Sequence, residues 1–191
     1  MPFAIELLFD AESDKKVRRI GAGLEKRGIP TIFSFPGGEP HVALAVFEKC
    51  DPFRLNRGLK KIAGSFPKFE LRLSSVGSFP GKEGVLFLAP VVTPDLLRLN
   101  VLTHNLLEKS AGGVWDYYKP GWWVPHCTLS INLPPRKLIQ GLDQVKKMDF
   151  GLVGRYQRLV FEEVSLDCPP VVRTLYSLPL SGKIKSKAKG K

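Results

Sequence analysis

Cysteine is scarce in this 191-residue chain: Cys50, Cys127 and Cys168 are the only three, and they lie far apart with no CxxC pair. An odd number of isolated thiols builds neither a disulfide framework nor a zinc cluster, so they read as reduced side chains packed inside. Long apolar runs are also missing. The longest, such as GVLFLAPVV, fall far short of the ~20 residues that cross a bilayer. The opening MPFAIELLFD has no basic segment before its apolar part, which is a poor secretory signal and reads as an internal strand of a cytoplasmic protein. There is no HExxH, no clustered set of carboxylates and no P-loop, so neither a metal nor a cofactor is expected. Histidine is as scarce as cysteine, at three copies.

What is present fits a globular chain: 43% apolar and 25% charged residues. The length suits one domain, or two small lobes around one core. Net charge is +11, from 29 Lys and Arg against 18 Asp and Glu. The final KIKSKAKGK, residues 183–191, holds five lysines and no acid; without it the body keeps 24 basic against 18 acidic residues. This end reads as a disordered tail, either solubilising or an arm for nucleic acid. A basic body points weakly to a polyanionic partner such as RNA.

The order of elements repeats. FAIELLF reads as a strand, then a helix from Asp10 to Gly28, the strand HVALAVFEK, a helix opened by Asp51-Pro52, and the alternating strand KFELRLSSVG. The second half runs EGVLFLAPVV, a helix capped by Thr93-Pro94, the loop VWDYYKPGWWVP, the strand HCTLSINL, the helix PPRKLIQGLDQVKKM, and two closing strands. Residues 1–182 thus read as a single bilobal domain with pseudo-repeat halves, about 1–80 and 81–180.

Within that repeat, EPHVALAV and VPHCTLSI stand at matching points, with His41 and His126 at their heads. A two-residue period puts His41, Ala43 and Ala45 on one face and Val42, Leu44 and Val46 on the other. By the same period His126, Thr128 and Ser130 share a face. A lone buried histidine is usually structural. Two in matched contexts on a duplicated scaffold suit acid–base chemistry instead, one neutral ring taking a proton and the other giving one. The hydroxyl of Thr128 would serve an anionic oxygen.

These residues resemble the two-histidine (2H) phosphoesterase superfamily, marked by two H-x-[ST]-x motifs half a chain apart, and within it the LigT-like group named for 2′-5′ RNA ligase and cyclic phosphodiesterase. PHCTL, Pro125 to Leu129, fits the second motif fully; PHVAL, Pro40 to Leu44, fits the first except at Ala43. The resemblance implies an α+β bilobal fold with two antiparallel-rich sheets around a central cleft and helices outside. It implies cleavage of 2′,3′-cyclic phosphate ends on RNA or nucleotides without metal, and in some relatives reversible 2′-5′ joining. By carry-over, His41 and His126 are the acid–base pair and Thr128 holds a phosphate oxygen. Ala43 lacks the hydroxyl of the first motif, a loss of about 1.5–3 kcal/mol if nothing replaces that bond to a charged acceptor. Water, a backbone amide or Ser34 are candidates to replace it.

Near the second motif stand Trp115, Tyr117, Tyr118, Trp122 and Trp123. Such rings stack on bases or fill cores; Tyr118 and Trp123 are the chosen stacking candidates, with Phe33 and Phe35 as analogues before the first motif. Arg72, Arg155, Arg158 and Arg173 are candidates for a basic groove, Arg155 in GRYQR first among them. His104, inside a helix, reads as a surface or helix-packing residue. The partners expected are RNA ends or nucleotides carrying a cyclic phosphate, with the protein monomeric and off the membrane. Two other readings fit the same residues: a non-catalytic RNA-binding module, favoured by Ala43 and the basic tail, and a phosphodiesterase for small nucleotides.

Overall fold

Among the described residues, three of the four α-helices begin where a side chain caps them. In the computed structural model, which describes residues 1–82, 84–147, 152–165 and 171–183, Asp10 accepts from the Ser13 amide ahead of α1 (Ala11–Glu25). Asp51 accepts from the Phe53 and Arg54 amides ahead of α2 (Pro52–Ser65). Thr93 does the same for the Leu96 amide ahead of α3 (Pro94–Leu107). Such caps satisfy amides that have no partner within the helix. α4 (Pro135–Val145) lacks a side-chain cap and starts on a proline pair instead, whose fixed φ suits the first turn. None of these helices is long and apolar enough to cross a membrane.

The strands are β1 (Phe3–Phe9), β2 (His41–Cys50), β3 (Phe69–Gly77), β4 (Gly84–Pro90), β5 (Ala111–Val114), β6 (Cys127–Leu133), β7 (Val153–Val164) and β8 (Val172–Pro179). All pairings are antiparallel. The sheet path runs β5-β2-β1-β7-β3-β4-β6, with β8 beside β7. β5 is the one strand the sequence did not suggest: AGGV is short and glycine-rich, and it is held by pairing Phe47 with Val114 and Cys50 with Ala111.

The expected α+β architecture is present, and its two halves are laced together. β3 pairs through Phe69–Arg72 with β7 and through its later residues with β4. β7 lies along the whole of β1, from Phe3 opposite Glu163 to Phe9 opposite Tyr156. Each half therefore completes its sheet with a strand from the other. The helices pair across the halves too, α1 against α4 and α2 against α3. Ile5, Leu7, Leu44, Phe47, Leu129, Leu159 and Phe161 are fully buried between these layers. The sheet curls until β6 meets β2, so that the backbone of His41 reaches the Cys127 thiol. This brings the heads of the two histidine strands together. Cys127 is buried and Cys50 half-buried, and neither is in a disulfide; Cys168 and residues 184–191 lie outside the described residues.

Candidate active site

Both histidines are held by the same local device. The Nδ1 of His41 lies 2.8 Å from the carbonyl of Glu39, and the Nδ1 of His126 lies 2.7 Å from the carbonyl of Val124. In each case the carbonyl is two residues earlier and the residue between is proline. A residue before proline is kept extended, which turns its carbonyl toward the ring. A carbonyl only accepts, so Nδ1 must carry the proton, and the neutral ring keeps its lone pair on Nε2. Burial pushes the pKa of both rings below the ordinary value; the charge of His41 pushes His126 down further. Each imidazole is thus neutral near pH 7 and presents Nε2 as a base. An anionic phosphate beside either ring would favour its protonation.

The faces of the two strands are reset by bulges. Ile5 is opposite Ala45 and Glu6 opposite Ala43, so β2 spends an extra residue, Leu44. Leu86 is opposite Ser130 and Phe87 opposite Thr128, so β6 spends an extra residue, Leu129. Both bulges fall three residues after the histidine. Strict alternation placed Ala45 and Ser130 on the cleft face; the bulges overturn that. Ala45 and Ser130 are fully buried, and the Ser130 hydroxyl donates to the carbonyl of Pro30. His41, Ala43 and Val46 from β2, with Thr128 and Ile131 from β6, line one cavity of about 220 Å³. A one-residue insertion turns every later side chain to the other face.

The β2 bulge frees backbone carbonyls, and buried carbonyls need partners. The carbonyl of Leu44 accepts from Asn100 Nδ2 at 3.0 Å and lies 3.2 Å from His104 Nε2. The carbonyl of Ala43 accepts from the Trp123 indole at 3.1 Å. His104 is therefore a helix-packing residue, 6% exposed, that secures the strand carrying His41.

Under Ala43 lies an acid pair that periodicity did not single out. Glu6 on β1 is 7% exposed and Glu162 on β7 4% exposed, and both reach the cavity. Glu6 shares a hydrogen bond with Glu162; Thr174 Oγ1 donates to Glu162 Oε1 at 2.7 Å. Burial raises the Glu6 pKa to about 8. Burial, then the neighbouring Glu6, raises Glu162 to about 7. Glu6 Oε2 sits 3.3 Å from His41 Nδ1. With the acid raised and the imidazole lowered, this contact joins a carboxylic acid to a neutral ring and is not an ion pair. The signal in the sequence is a carboxylate inside each of two apolar strands, FAIELLF and LVFEEV, where an unpaired charge is costly.

The remaining candidates divide. Tyr118 lines the cavity, its phenol pushed up to about 12 by burial; Trp115 and Phe35 line it too. Trp123 is withdrawn as a stacking surface, because it is 9% exposed and its indole is committed to Ala43. Neither Arg155 nor His126 is among the residues that line the cavity; the Arg155 guanidinium holds Glu70 at 2.6 Å on the surface. Ser34 is no substitute for the missing hydroxyl, since it donates to Glu25 at 2.6 Å. Phe33 lies under the Arg18 guanidinium and against Gly21. Tyr117 and Trp122, near the second motif, are exposed at 80% and 77% and are free to stack at the surface. His126 sits against Phe79 and Phe87, with ring centroids 4.8 and 5.3 Å away. Among the described residues no three His, Cys, Asp or Glu side chains converge as metal ligands.

The fold has solved counterparts. A Thermus thermophilus protein, TT0787, superposes with a TM-score of 0.68 at 20% identity, covering 96% of this chain and all of that one. Escherichia coli LigT, solved with 3′-AMP, superposes with a TM-score of 0.61 at 14% identity over 94% of this chain and 96% of its own. A Bacillus cereus (strain G9842) protein, a phosphoesterase by name, is 30% identical over 139 residues, 71% of this chain and 75% of that relative. The model of the 2′-5′ RNA ligase superfamily matches residues 14–163, a span that contains both histidines and Thr128. The chain belongs to the 2′-5′ RNA ligase superfamily.

Proposed function

We propose that the protein opens 2′,3′-cyclic phosphates on RNA ends or nucleotides by acid–base catalysis between His41 and His126, without a metal ion. The observation that carries this reading is the paired lock on Nδ1, which leaves Nε2 as the basic nitrogen of each ring, on two strands that both line one cavity, β2 with His41 and β6 with Thr128. One neutral Nε2 takes a proton from water as its oxygen bonds to phosphorus. The other ring, protonated, gives its proton to the ribose oxygen as the P–O bond breaks. The same transfers with a 5′-hydroxyl in place of water form the new P–O bond, break the bond from phosphorus to the 3′-oxygen, protonate that oxygen and leave a 2′-5′ link. Thr128 donates to a non-bridging oxygen. Escherichia coli LigT has been solved with 3′-AMP, with phosphate and with ATP, which supports nucleotides as the ligand class here, and the superfamily's description supports RNA.

The test is turnover of a 2′,3′-cyclic mononucleotide and of an RNA with a cyclic phosphate end, both in EDTA. Hydrolysis of either supports the reading, and the ratio of the two rates separates an RNA-end enzyme from a small-nucleotide phosphodiesterase. RNA binding without turnover of either would sink it in favour of a non-catalytic module of the same fold.

A further inference from the structure

We propose that Glu6, as a carboxylic acid, supplies the hydrogen bond to the substrate phosphate that a hydroxyl at residue 43 would otherwise give, with Glu162 holding it in place. The inference rests on the phosphoesterase reading above.

The two motif strands are unequal in a complementary way. On β6 the hydroxyl is present, at Thr128, and its neighbour across the ladder is the apolar Phe87. On β2 the hydroxyl is missing, at Ala43, and its neighbour across the ladder is Glu6. Glu6 and Phe87 occupy corresponding places, each opposite the residue just before a bulge. Side chains directly opposite in an antiparallel pair stand about 5 Å apart on one face. The carboxyl of Glu6 therefore rises beside the methyl of Ala43, in the space a threonine would fill. It lines the same cavity as His41, Ala43 and Thr128.

A carboxylate there would repel a phosphate; a carboxylic acid donates to it. The surroundings keep the proton on. Burial is the largest cause; Glu39, from the segment before β2, also disfavours a negative charge on Glu6, while the hydrogen bond with Glu162 on β7 works the other way and is outweighed. His41 faces it from β2, Tyr118 from the 3₁₀ turn Asp116–Tyr118 and Cys127 from β6. All three are neutral near pH 7. The guanidinium of Arg158 is turned to Glu39 at 3.6 Å. Burial raises Glu6 to about 8 and Glu162 to about 7, so the pair holds at least one proton at neutral pH. Thr174 fixes the far oxygen of Glu162.

The experiment measures binding of a 2′-nucleotide and turnover of a 2′,3′-cyclic nucleotide for Glu6→Ala, Glu6→Gln, Ala43→Thr and the Glu6→Ala/Ala43→Thr double variant. Glu6→Ala is expected to weaken binding about 10- to 100-fold, as loss of a bond to a charged acceptor does. Ala43→Thr should restore most of that loss in the double variant, since the two side chains serve one oxygen, while adding little to the wild type. Glu6→Gln keeps a donor that does not ionise. Wild-type affinity should fall relative to Glu6→Gln as pH rises through about 8. A merely structural role for Glu6 predicts no rescue by threonine at residue 43 and no pH-dependent gap from Glu6→Gln; that result overturns the inference. Wild-type turnover that His126→Ala abolishes but Glu6→Ala leaves intact overturns Glu6 alone. A wild type that neither binds nor turns over overturns the phosphoesterase reading and this inference with it.

Discussion

His41 and His126 are set by their Nδ1 partners, and each is expected to be indispensable. Loss of one member of an acid–base pair costs on the order of 10²–10⁴ in rate. His41→Ala and His126→Ala should each fall that far on a cyclic nucleotide, and the double variant little further, because the rings serve one reaction. Fully additive losses would separate the two. A second expectation at this scale concerns stability. Glu6 titrates near 4.5 when unfolded and is raised to about 8 when folded. Between those values the folded state holds the extra proton, so stability falls as pH rises and the contribution is gone above about 8. The total is on the order of a few kcal/mol. Glu162, raised to about 7, acts in the same direction. His41 and His126, lowered in the fold, act oppositely, costing stability as pH falls below about 6.5. Thermal unfolding from pH 5 to 9 should show the alkaline decline in wild type and a shallower one in Glu6→Gln.

Among the elements, the β2 bulge depends on α3. Asn100 is 1% exposed and donates to the carbonyls of both Leu44 and Tyr118. Asn100→Ala leaves those buried acceptors short of partners, at about 1–3 kcal/mol. Urea unfolding should show a lower midpoint with an unchanged slope. The same variant should lose turnover, because the bulge decides whether Val46 or Ala45 faces the cavity beside Ala43. Retained stability with normal turnover would show that His104 alone secures the strand.

In the whole molecule, the exchange of β3 and β7 between the halves is expected to make folding a single event. Separating 1–80 from 81–191 strips β1 of its β7 partner and β4 of its β3 partner. Each fragment then bares a strand edge and part of the shared core. Neither fragment should show cooperative unfolding alone, and the intact chain should give one calorimetric transition. Two separate transitions in the intact chain would make the halves independent units.

Local pattern was enough for every α-helix and strand except β5 and for locating the two histidine motifs. Asp10, Asp51 and Thr93 announce helices because capping is a contact within four residues. His41, Ala43, His126 and Thr128 are legible because a strand brings alternate residues to one face, and two matching strands imply one meeting place. What only the tertiary structure decided is whatever depends on register with a distant strand. The bulges at Leu44 and Leu129 exist only relative to β1 and β4, so no period in β2 or β6 reveals that Val46 and Ile131 face the cavity. Trp123 looks like a free functional side chain in one dimension, and His104 like a residue of the surface or of helix packing. In three they are donors to carbonyls on β2, because buried backbone must be satisfied. Glu6 and Glu162 stand at opposite ends of the chain. Only the pairing of β1 with β7 makes one acid pair of them and sets it beneath Ala43.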